Sequence, residues 1–362
     1  MALYLDFSKA FGVISNEILL YKLQVYGIRG KELRWFQSYL SNRKIYVNAN
    51  GLGSEIRNVP TGVPQGATLA GLLFIIFLND FYTSHKLDSI NYADDSTVLY
   101  RSSDIDLLYS TFNENLKNIY LWLNVNKVKL NKDKSKFMVF SNSKQHHVKK
   151  IRIGSTEIEK INNVKLLGIW IDDKLNYTNH IKYLTKKLSY VSYILSQLYN
   201  LPKSIRKKIY YSFGHSLIMY GISIWGSAYK VHLKPLKRVH KNIVKKISGH
   251  YNSTIQAFKN IDLLSIEYLK EYSLLNFMHK IINLQTPTLI HNTLYKNNRS
   301  TRNTRQKNLI RKPRIKLTSM KKSFIWSAST LWNELLPEYK TNNYNSFKKL
   351  IKTHLHNKFT TY

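Results

Sequence analysis

A chain of 362 residues exceeds the usual size of one domain, and its apolar fraction of 43% excludes wholesale disorder. The 56 Lys and Arg outnumber the 21 Asp and Glu, and the net charge of +35 favours a polyanionic partner, either nucleic acid or an anionic membrane surface. The chain has no Cys, which excludes disulfides, Cys-based zinc sites and thiol nucleophiles and is typical of an intracellular protein.

The first 80 residues predict short strands and helices joined by turns. In chain order these are a strand at 2–7, helices at 16–26 and 31–40, a hairpin with strands at 45–47 and 55–59, and a helix at 69–78. The last helix is also the longest apolar run, about half of what a membrane-spanning helix requires. Because the N-terminus also lacks the basic region of a signal peptide, we expect neither a membrane-embedded nor a secreted protein.

The next segment predicts a second strand pair and a long helix. Strand patterns at 89–92 and 97–100 flank Ala93-Asp94-Asp95-Ser96, residues that favour a tight turn. Apolar residues recur at three- and four-residue steps from Asp104 to Asn124, which predicts an amphipathic helix. Further strands are predicted at 136–140 and 166–171.

Helices dominate the predictions after Asp172. Apolar residues between 233 and 247 form one stripe of a helix whose other faces are rich in Lys. Residues 299–322 contain ten Lys or Arg and no Asp or Glu, which marks a separate basic segment. We therefore predict three regions: 1–172 with the strands, a helical region at 173–251, and a basic C-terminal region at 252–362.

Three aspartates are the leading candidates for chemistry. Asp6 ends the first strand, while Asp94 and Asp95 lie in the turn between two later strands. If these strands are neighbours in one antiparallel sheet, the three carboxylates converge at one edge. Two such charges about 4 Å apart repel by about 4 kcal/mol, so the group would raise its pKa values or bind a divalent cation such as Mg²⁺ for phosphoryl transfer. The alternative is that Asp-Asp is ordinary turn chemistry.

Five motifs resemble those of reverse transcriptases from non-LTR retrotransposons, the long interspersed, jockey-type elements. In chain order they are LDFSKAF at 5–11, GVPQG at 62–66 with LLFIIFLND at 72–80, YADD at 92–95, LNKDKSK at 130–136, and LLG at 166–168 with Ile171-Asp172. Each motif is weak alone, but five in this order and at these spacings are specific. The resemblance covers residues 1–250, and a looser one at 332–350 extends almost to the C-terminus.

The resemblance implies an α+β fold: a polymerase-type palm with an antiparallel sheet packed on helices, then a mainly helical thumb-like region and a basic C-terminal region. It implies that the catalytic residues are Asp6, Asp94 and Asp95, which would hold two Mg²⁺ (or Mn²⁺) ions with the Phe7 carbonyl. The implied nucleotide-binding residues are Phe11, Gln65, Gly66 and Lys134, and the implied primer-contacting residues are Leu167 and Gly168. Without the resemblance, Phe11 is more often a core aromatic, the loop with Gln65 and Gly66 is a turn into a helix, and Lys134 is a solvated surface cation. Leu167 and Gly168 are described nearly as well by a buried strand.

The implied function is that of an RNA-directed DNA polymerase, which extends a primer 3′-hydroxyl with deoxynucleotides. Its partners would be an RNA template, a DNA primer or target and deoxynucleoside triphosphates, in a nuclear or cytoplasmic ribonucleoprotein and without a membrane. Three departures matter: Gly12 stands where the family usually has Asp, Ser135 stands where Thr is commoner, and the chain begins at the first motif. We therefore expect an N-terminally truncated copy without fingers or endonuclease. The alternatives are a catalytically inactive remnant that binds RNA or DNA by charge, and a basic scaffold protein.

Overall fold

The computed structural model describes residues 1–8, 11–64, 66–141, 149–249, 252–295, 309–315 and 318–361. The chain divides into two compact units, Met1–Asn163 and Val164–Tyr362. The predicted boundaries at residues 172 and 251 stay predictions. Among the described residues, no helix is both long and apolar enough to cross a membrane.

The first unit combines four helices with ten strands in its described residues. The helices are α1 (Asn16–Val25), α2 (Gly30–Leu40), α3 (Thr68–Leu78) and α4 (Ile105–Val125). The strands are β1 (Ala2–Asp6), β2 (Lys44–Ile45), β3 (Asn48–Ala49), β4 (Leu52–Gly53), β5 (Arg57–Asn58), β6 (Asp88–Tyr92), β7 (Asp95–Leu99), β8 (Lys136–Met138), β9 (Ile151–Ile153) and β10 (Thr156–Lys160).

A six-stranded sheet forms the frame of this unit, in the order β6-β7-β1-β8-β10-β9. Its paired strands are antiparallel except β8 and β10, which are parallel. The predicted hairpin is also present, because β2 pairs with β5 and β3 pairs with β4. The first unit is therefore α+β with a mostly antiparallel sheet.

The core of the first unit lies between the sheet and its helices. Alternation along β1 buries Leu3 and Leu5 on one face, in the same apolar cluster as residues of α1, α3 and α4. Asp104 caps the start of helix α4, and its carboxylate accepts a hydrogen bond from the Asp106 N–H at 2.8 Å. The same helix buries Phe112 completely, and burying such a side chain stabilises the fold by about 1.5–3 kcal/mol.

The second unit is mainly helical, which confirms the prediction for the chain after Asp172. The strands among its described residues are β11 (Asn163–Leu166) and β12 (Ile169–Asp172). Its helices are α5 (Thr178–Gln197), α6 (Lys203–Tyr210), α7 (Ser216–Met219), α8 (Ile222–Trp225), α9 (Lys230–Ser248), α10 (Thr254–Asn260), α11 (Ile266–Ile282), α12 (Thr288–Tyr295), α13 (Phe324–Glu334) and α14 (Tyr344–Thr361).

A separate apolar cluster holds the second unit together. The predicted stripe of α9 is buried and packs against α5, and Lys246 of α9 donates a hydrogen bond to the Ser192 carbonyl at 3.0 Å. Helix α11 packs against α13 and α14, so residues near the C-terminus belong to this core. The unit is thus a helical assembly with its own interior.

Some local predictions were wrong. The strand predicted at 166–171 is interrupted, because Leu167 (φ 45°) and Gly168 (φ 84°) adopt left-handed conformations that turn the chain between β11 and β12. The strand predicted at 136–140 ends at Met138, and the short strands β9 and β10 were not predicted. Part of the basic segment at 299–322 lies outside the described residues.

Candidate active site

Sheet register brings three aspartates to one end of the sheet. β1 pairs with β7 so that Asp6 lies opposite Asp95. β6 pairs with β7 so that Tyr92 lies opposite Asp95, which leaves Ala93 and Asp94 as the two-residue turn. Ala93 has a φ of 52°, the left-handed conformation that such a tight turn requires. Asp6 and Asp94, which are 88 positions apart in the sequence, thereby come together. This is the outcome expected if their strands are neighbours in one sheet.

Hydrogen bonds fix the backbone of Asp6 on its other side. The Asp6 N–H donates to the fully buried Ser135 Oγ at 3.1 Å, and the Asn131 N–H donates to the Asp6 carbonyl at 2.8 Å. Because both backbone groups of Asp6 point away from β7, Asp6 and Asp95 form a non-hydrogen-bonded pair, in which the Cα atoms are about 4.5 Å apart. Their side chains therefore emerge close together on the same face of the sheet.

The carboxylates of Asp6, Asp94 and Asp95 lie close enough to repel one another. The Asp6 side chain is 29% exposed, and Asp94 and Asp95 are exposed. Partial burial raises the pKa of Asp95, and the nearby charges of Asp94 and Asp6 raise it further. Lys134 lies on the loop before β8 and places its Nζ 3.8 Å from Asp6 Oδ2, so the structure brings this predicted phosphate ligand to the carboxylates.

The donor chemistry of the edge fits a hard divalent cation. Its side-chain ligands are carboxylate oxygens, and a cation would offset the partial burial and the like-charge repulsion that raise the pKa of Asp95. In the part of the chain that the structure describes, no three acidic or imidazole side chains already surround a common point. One or two carboxylates of this kind are the ligands that a hard divalent cation such as Mg²⁺ takes from a protein.

The Phe7 backbone continues the same pattern. Phe7 forms a bridge with Leu130, and its hydrogen bonds run through the neighbours, since the Ser8 N–H donates to the Lys129 carbonyl at 2.9 Å. Successive backbone groups of an extended strand point to opposite sides, so the Phe7 carbonyl points toward the β7 side, where the aspartates lie. The buried Phe7 ring meets the edge of Phe81 at 6.2 Å between centroids, which anchors this position in the core.

Phe11 is held by the loop that precedes α3. Its half-buried ring stacks on Phe74 at 4.5 Å between centroids, and its carbonyl accepts a hydrogen bond from the Val63 N–H at 2.9 Å. Gly62 has a φ of 82°, and a Cβ there would lie 2.7 Å from the Phe11 carbonyl oxygen. Only glycine allows this approach. The exposed Gly66 has a φ of 91°, whereas Gln65 lies outside the described residues.

Three polar side chains that sequence reasoning missed hold this loop in place. They connect the 60–62 loop to distant parts of the chain: Arg43 Nη1 donates to the Gly62 carbonyl, Thr61 Oγ1 donates to the Gly12 carbonyl at 3.0 Å, and Asn16 Nδ2 donates to the Pro60 carbonyl at 3.2 Å. The loop and the segment after β1 are thereby fixed to each other. No local sequence signal identifies these contacts, because the partners are separated by 19 to 49 positions.

The predicted primer-contacting residues belong to the second unit. Leu167 and Gly168 form the turn of the β11–β12 hairpin, and 42% of the Leu167 surface is exposed. The Leu167 carbonyl accepts a hydrogen bond from the Tyr220 hydroxyl at 2.5 Å, which holds the turn against the segment between α7 and α8. The pair is thus an exposed hairpin tip and not a buried strand.

Residues 1–185 match the reverse transcriptase (RNA-dependent DNA polymerase) family, a match that covers just over half of the 362-residue chain. The chain belongs to the reverse transcriptase family. All of its predicted site residues lie within the matched region. The match also includes the β11–β12 hairpin and the first residues of α5.

Relatives of this reverse transcriptase-family chain come from mobile elements. The RNA-directed DNA polymerase from mobile element jockey of Drosophila melanogaster is 26% identical over 264 residues, and that of Drosophila funebris is 25% identical over 258 residues. The retrovirus-related Pol polyprotein from type-1 retrotransposable element R1 of Bradysia coprophila is 22% identical over 233 residues. These alignments cover 68%, 68% and 62% of this chain but only 28%, 28% and 23% of the relatives.

A solved structure of telomerase from Candida albicans, in complex with a fragment of telomeric RNA, also aligns with the chain. The alignment has a TM-score of 0.31 and 14% identity, and it covers 73% of this chain and 49% of that chain. A likeness this weak carries no argument. Family membership therefore rests on the sequence match, and the site geometry rests on the sheet register.

Proposed function

We propose that this chain supplies the palm and the following helical part of an RNA-directed DNA polymerase of a non-LTR retrotransposon. The observation that carries the proposal is the Asp6–Asp95 register, which sets two carboxylates face to face beside the Asp94 turn. Such a pair is destabilising unless a cation lies between the charges. The substrates would be an RNA template, a DNA primer and deoxynucleoside triphosphates, within a nuclear or cytoplasmic ribonucleoprotein.

Asp6, Asp94, Asp95 and the Phe7 carbonyl would hold two divalent metal ions. When bound, such a pair of ions activates an attacking hydroxyl and stabilises the leaving oxygen of a phosphoryl transfer. The chain's own residues position these groups: Ser135 and Asn131 fix the Asp6 backbone, so the carboxylate is held by a rigid strand and not by a loop.

Lys134 and Phe11 would act on the incoming nucleotide. Lys134 reaches the aspartate edge and would exchange its contact with Asp6 for the nucleotide phosphates. The Phe11 ring, fixed by its stack on Phe74, would support the sugar and collide with a 2′-hydroxyl, which selects deoxynucleotides. Gln65 and Gly66 would lie beside the nascent base pair, and Leu167 and Gly168 would contact the primer.

A second candidate is a catalytically inactive chain that binds RNA or DNA through charge alone. The observation that favours it is Gly12, which replaces the acidic residue that the family usually carries after its first motif. The Gly12 carbonyl accepts a hydrogen bond from Thr61, so the position lies next to the start of the loop that precedes α3.

Primer extension on an RNA template, with Mg²⁺ and all four deoxynucleotides, tests the two candidates. The parent chain would be compared with Asp94→Asn/Asp95→Asn, with Gly12→Asp, and with Asp88→Asn as a matched control. Asp88 is an exposed carboxylate at the far end of the same strand pair, so its loss should leave extension unchanged. Extension that is lost only in the double variant supports the polymerase. Absence of extension in the parent and in Gly12→Asp, with nucleic-acid binding retained, supports the inactive chain.

A further inference from the structure

Strand β6 lies in the sheet with its apolar residues on the exposed face. Ile90 and Tyr92 are 63% and 66% exposed, whereas Ser89 and Asn91, on the opposite face, are half-buried. A shift of the β6 pairing by one residue would exchange the two faces. Burial of the apolar side chains of β6 therefore does not favour the observed register, and another interaction must hold it.

Two polar side chains oppose each other on the covered face, directly next to the aspartate turn. Asn91 pairs with Ser96, and Ser96 also pairs with Leu5, which belongs to the apolar core. Residues that lie opposite each other in an antiparallel pair point to the same face, so both polar side chains share the face of Leu5. The Asn91 Oδ1 and Nδ2 atoms and the Ser96 Oγ atom are buried, and none has a hydrogen-bond partner among the described residues.

The two side chains are within reach of each other. Because Asp6 and Asp95 form a non-hydrogen-bonded pair, the backbone groups of Asp95 point to the other side, toward Tyr92. The two kinds of pair alternate along a ladder, so Asn91 and Ser96 form a non-hydrogen-bonded pair with Cα atoms about 4.5 Å apart. At that distance the Asn91 amide and the Ser96 hydroxyl can bond directly or through one water, which typically takes about three polar partners.

The turn next to this pair has a strained backbone. Ala93 has a φ of 52°, whereas the φ of Asp94 is not positive, as in a type II′ turn, which favours Gly at its first position. Another residue keeps such a conformation only where its surroundings fix it. Asp94 is the second residue of the turn, so the interaction that fixes the turn also sets the direction of the Asp94 carboxylate.

We propose that Asn91 and Ser96 are positioning residues for Asp94, because their buried polar pair fixes the register of β6 and with it the aspartate turn. This role rests on the proposed function, in which Asp94 holds a metal ion. Asp6 and Asp95 are placed by the pairing of β1 with β7 and do not need β6. The Asn91–Ser96 pair therefore controls the one aspartate that lies outside the strand pairing.

A double-mutant cycle tests whether the two side chains act as a pair. Asn91→Ala, Ser96→Ala and the double variant of the full chain would be compared by amide hydrogen exchange of β6 and β7, without metal. Each single variant leaves a buried polar group unpaired and should raise the opening equilibrium about tenfold. The double variant should exceed either single variant by no more than about twofold, because the two effects are coupled.

Two matched controls separate the pair from a general effect on the strand. Ser89→Ala makes the same chemical change on the same face, opposite Val98 and farther from the turn, and Ser96→Thr keeps the hydroxyl. Both should change the opening equilibrium by about twofold at most. If Asn91→Ala unfolds the first unit, the comparison of Ser96→Ala with Ser96→Thr carries the test.

Mn²⁺ binding, followed by electron paramagnetic resonance, gives a readout that a purely structural pair would not change. Ser96→Ala should weaken binding at least about tenfold, as loss of a residue that orients a metal ligand does, and Ser96→Thr should bind as the parent does. A disulfide in Asp88→Cys/Leu99→Cys would fix the register at the far end of β6 and should restore the Mn²⁺ affinity of Ser96→Ala. These positions form a hydrogen-bonded pair with Cα atoms about 5.5 Å apart, within the range of a disulfide, and the chain has no other Cys.

Three results would overturn the proposal. They are additive effects in the cycle, an effect of Ser89→Ala as large as that of Ser96→Ala, and an unchanged Mn²⁺ affinity in Ser96→Ala. A parent chain that binds no Mn²⁺ would instead refute the metal site of the proposed function. The cycle would then still accept or reject the Asn91–Ser96 pair, because hydrogen exchange requires neither metal nor catalysis.

Discussion

Asp80→Asn is expected to destabilise the first unit by leaving a buried ammonium without its anion. The Lys22 side chain is 9% exposed, and its Nζ donates to the Phe77 carbonyl at 2.7 Å and to Asp80 Oδ1 at 2.8 Å. Trp122 Nε1–H donates to the same oxygen at 3.0 Å. One carboxylate therefore connects α1, α4 and the end of α3.

The magnitude follows from the exposure of the two partners. Removing one partner of a fully buried ion pair costs about 3–5 kcal/mol. The Asp80 side chain is 39% exposed, so water replaces part of the lost interaction, and we expect a loss of about 2 kcal/mol. Glu159→Gln is the matched control, because its ion pair with Lys136 is more exposed at the carboxylate (67%) and should contribute at most about 1 kcal/mol.

The effect should depend on pH with a definite sign. Burial lowers the pKa of Lys22 below its ordinary 10.5, although the hydrogen bond and charge of Asp80 oppose this shift. Between the folded and the unfolded pKa the unfolded state binds more protons, so stability contributed by this site rises with pH up to about 10.5. The Asp80→Asn penalty should therefore shrink at alkaline pH, as Lys22 becomes neutral.

Amide hydrogen exchange in α1, α3 and α4 measures the stability of the first unit separately from that of the second. At neutral pH, Asp80→Asn should raise the opening equilibrium of these helices about 30-fold, the equivalent of about 2 kcal/mol. The double variant Lys22→Met/Asp80→Asn should recover much of this loss, because no buried charge remains. A double variant as unstable as the sum of the two single variants would refute the reasoning, as would an Asp80→Asn effect no larger than that of Glu159→Gln.

Two further predictions concern the loop before α3 and the core of the second unit. Arg43→Gln should raise the KM for deoxynucleotides in primer extension about tenfold, because a charged hydrogen bond to the Gly62 carbonyl contributes about 1.5–3 kcal/mol. Arg43→Lys should restore part of the loss, and the exposed Arg57→Gln should have no effect; equal effects of both Gln variants would contradict this role. His240 is fully buried beside the Tyr210 hydroxyl at 2.7 Å, and burial lowers its pKa from 6.5 to about 3. Protonation of the unfolded state should therefore cost the second unit about 2 kcal/mol of stability as pH falls from about 7 to about 5. The urea concentration at which the α9 amides lose half of their protection from hydrogen exchange should fall over this pH range. If the midpoint of His240→Gln falls equally with pH, groups other than His240 cause the loss.

Elements could be predicted where the apolar pattern and the boundary residues lie within one short segment of the sequence. Helix α4 was predicted within one residue, because its apolar residues follow one helix period and Asp104 caps its start. The β6–β7 pair was predicted for a similar reason, since two strand patterns flank a turn. The meeting of Asp6 with Asp95 required one further assumption, that β1 and β7 are neighbours, and the sheet order satisfies it.

Features that depend on distant partners could not be predicted. Strand β9 is only three residues long, and β10 contains a single apolar residue, Ile158, so neither has a clear apolar pattern. Both belong to the sheet because β10 pairs with β8 and with β9. Ser135 supports Asp6 from 129 positions away, and Arg43 reaches the loop at Gly62 through the fold of the intervening hairpin. The roles assigned to all of the site residues, from the three aspartates to Leu167 and Gly168, stay predictions, because they concern ligands.

Strand β1 contains both residues that stabilise the fold and a residue that destabilises it, and the two kinds lie at different positions along the strand. Leu3 and Leu5 bury completely on the helix-covered face, so the central strand is firmly held. The same strand ends in Asp6, which faces Asp95 across a non-hydrogen-bonded pair, an arrangement that costs stability. Because Ser135 and Asn131 bond the backbone of Asp6, the strand does not slip to relieve that repulsion. The repulsion between Asp6 and Asp95 is therefore retained in the fold, and a cation bound at this edge would relieve it.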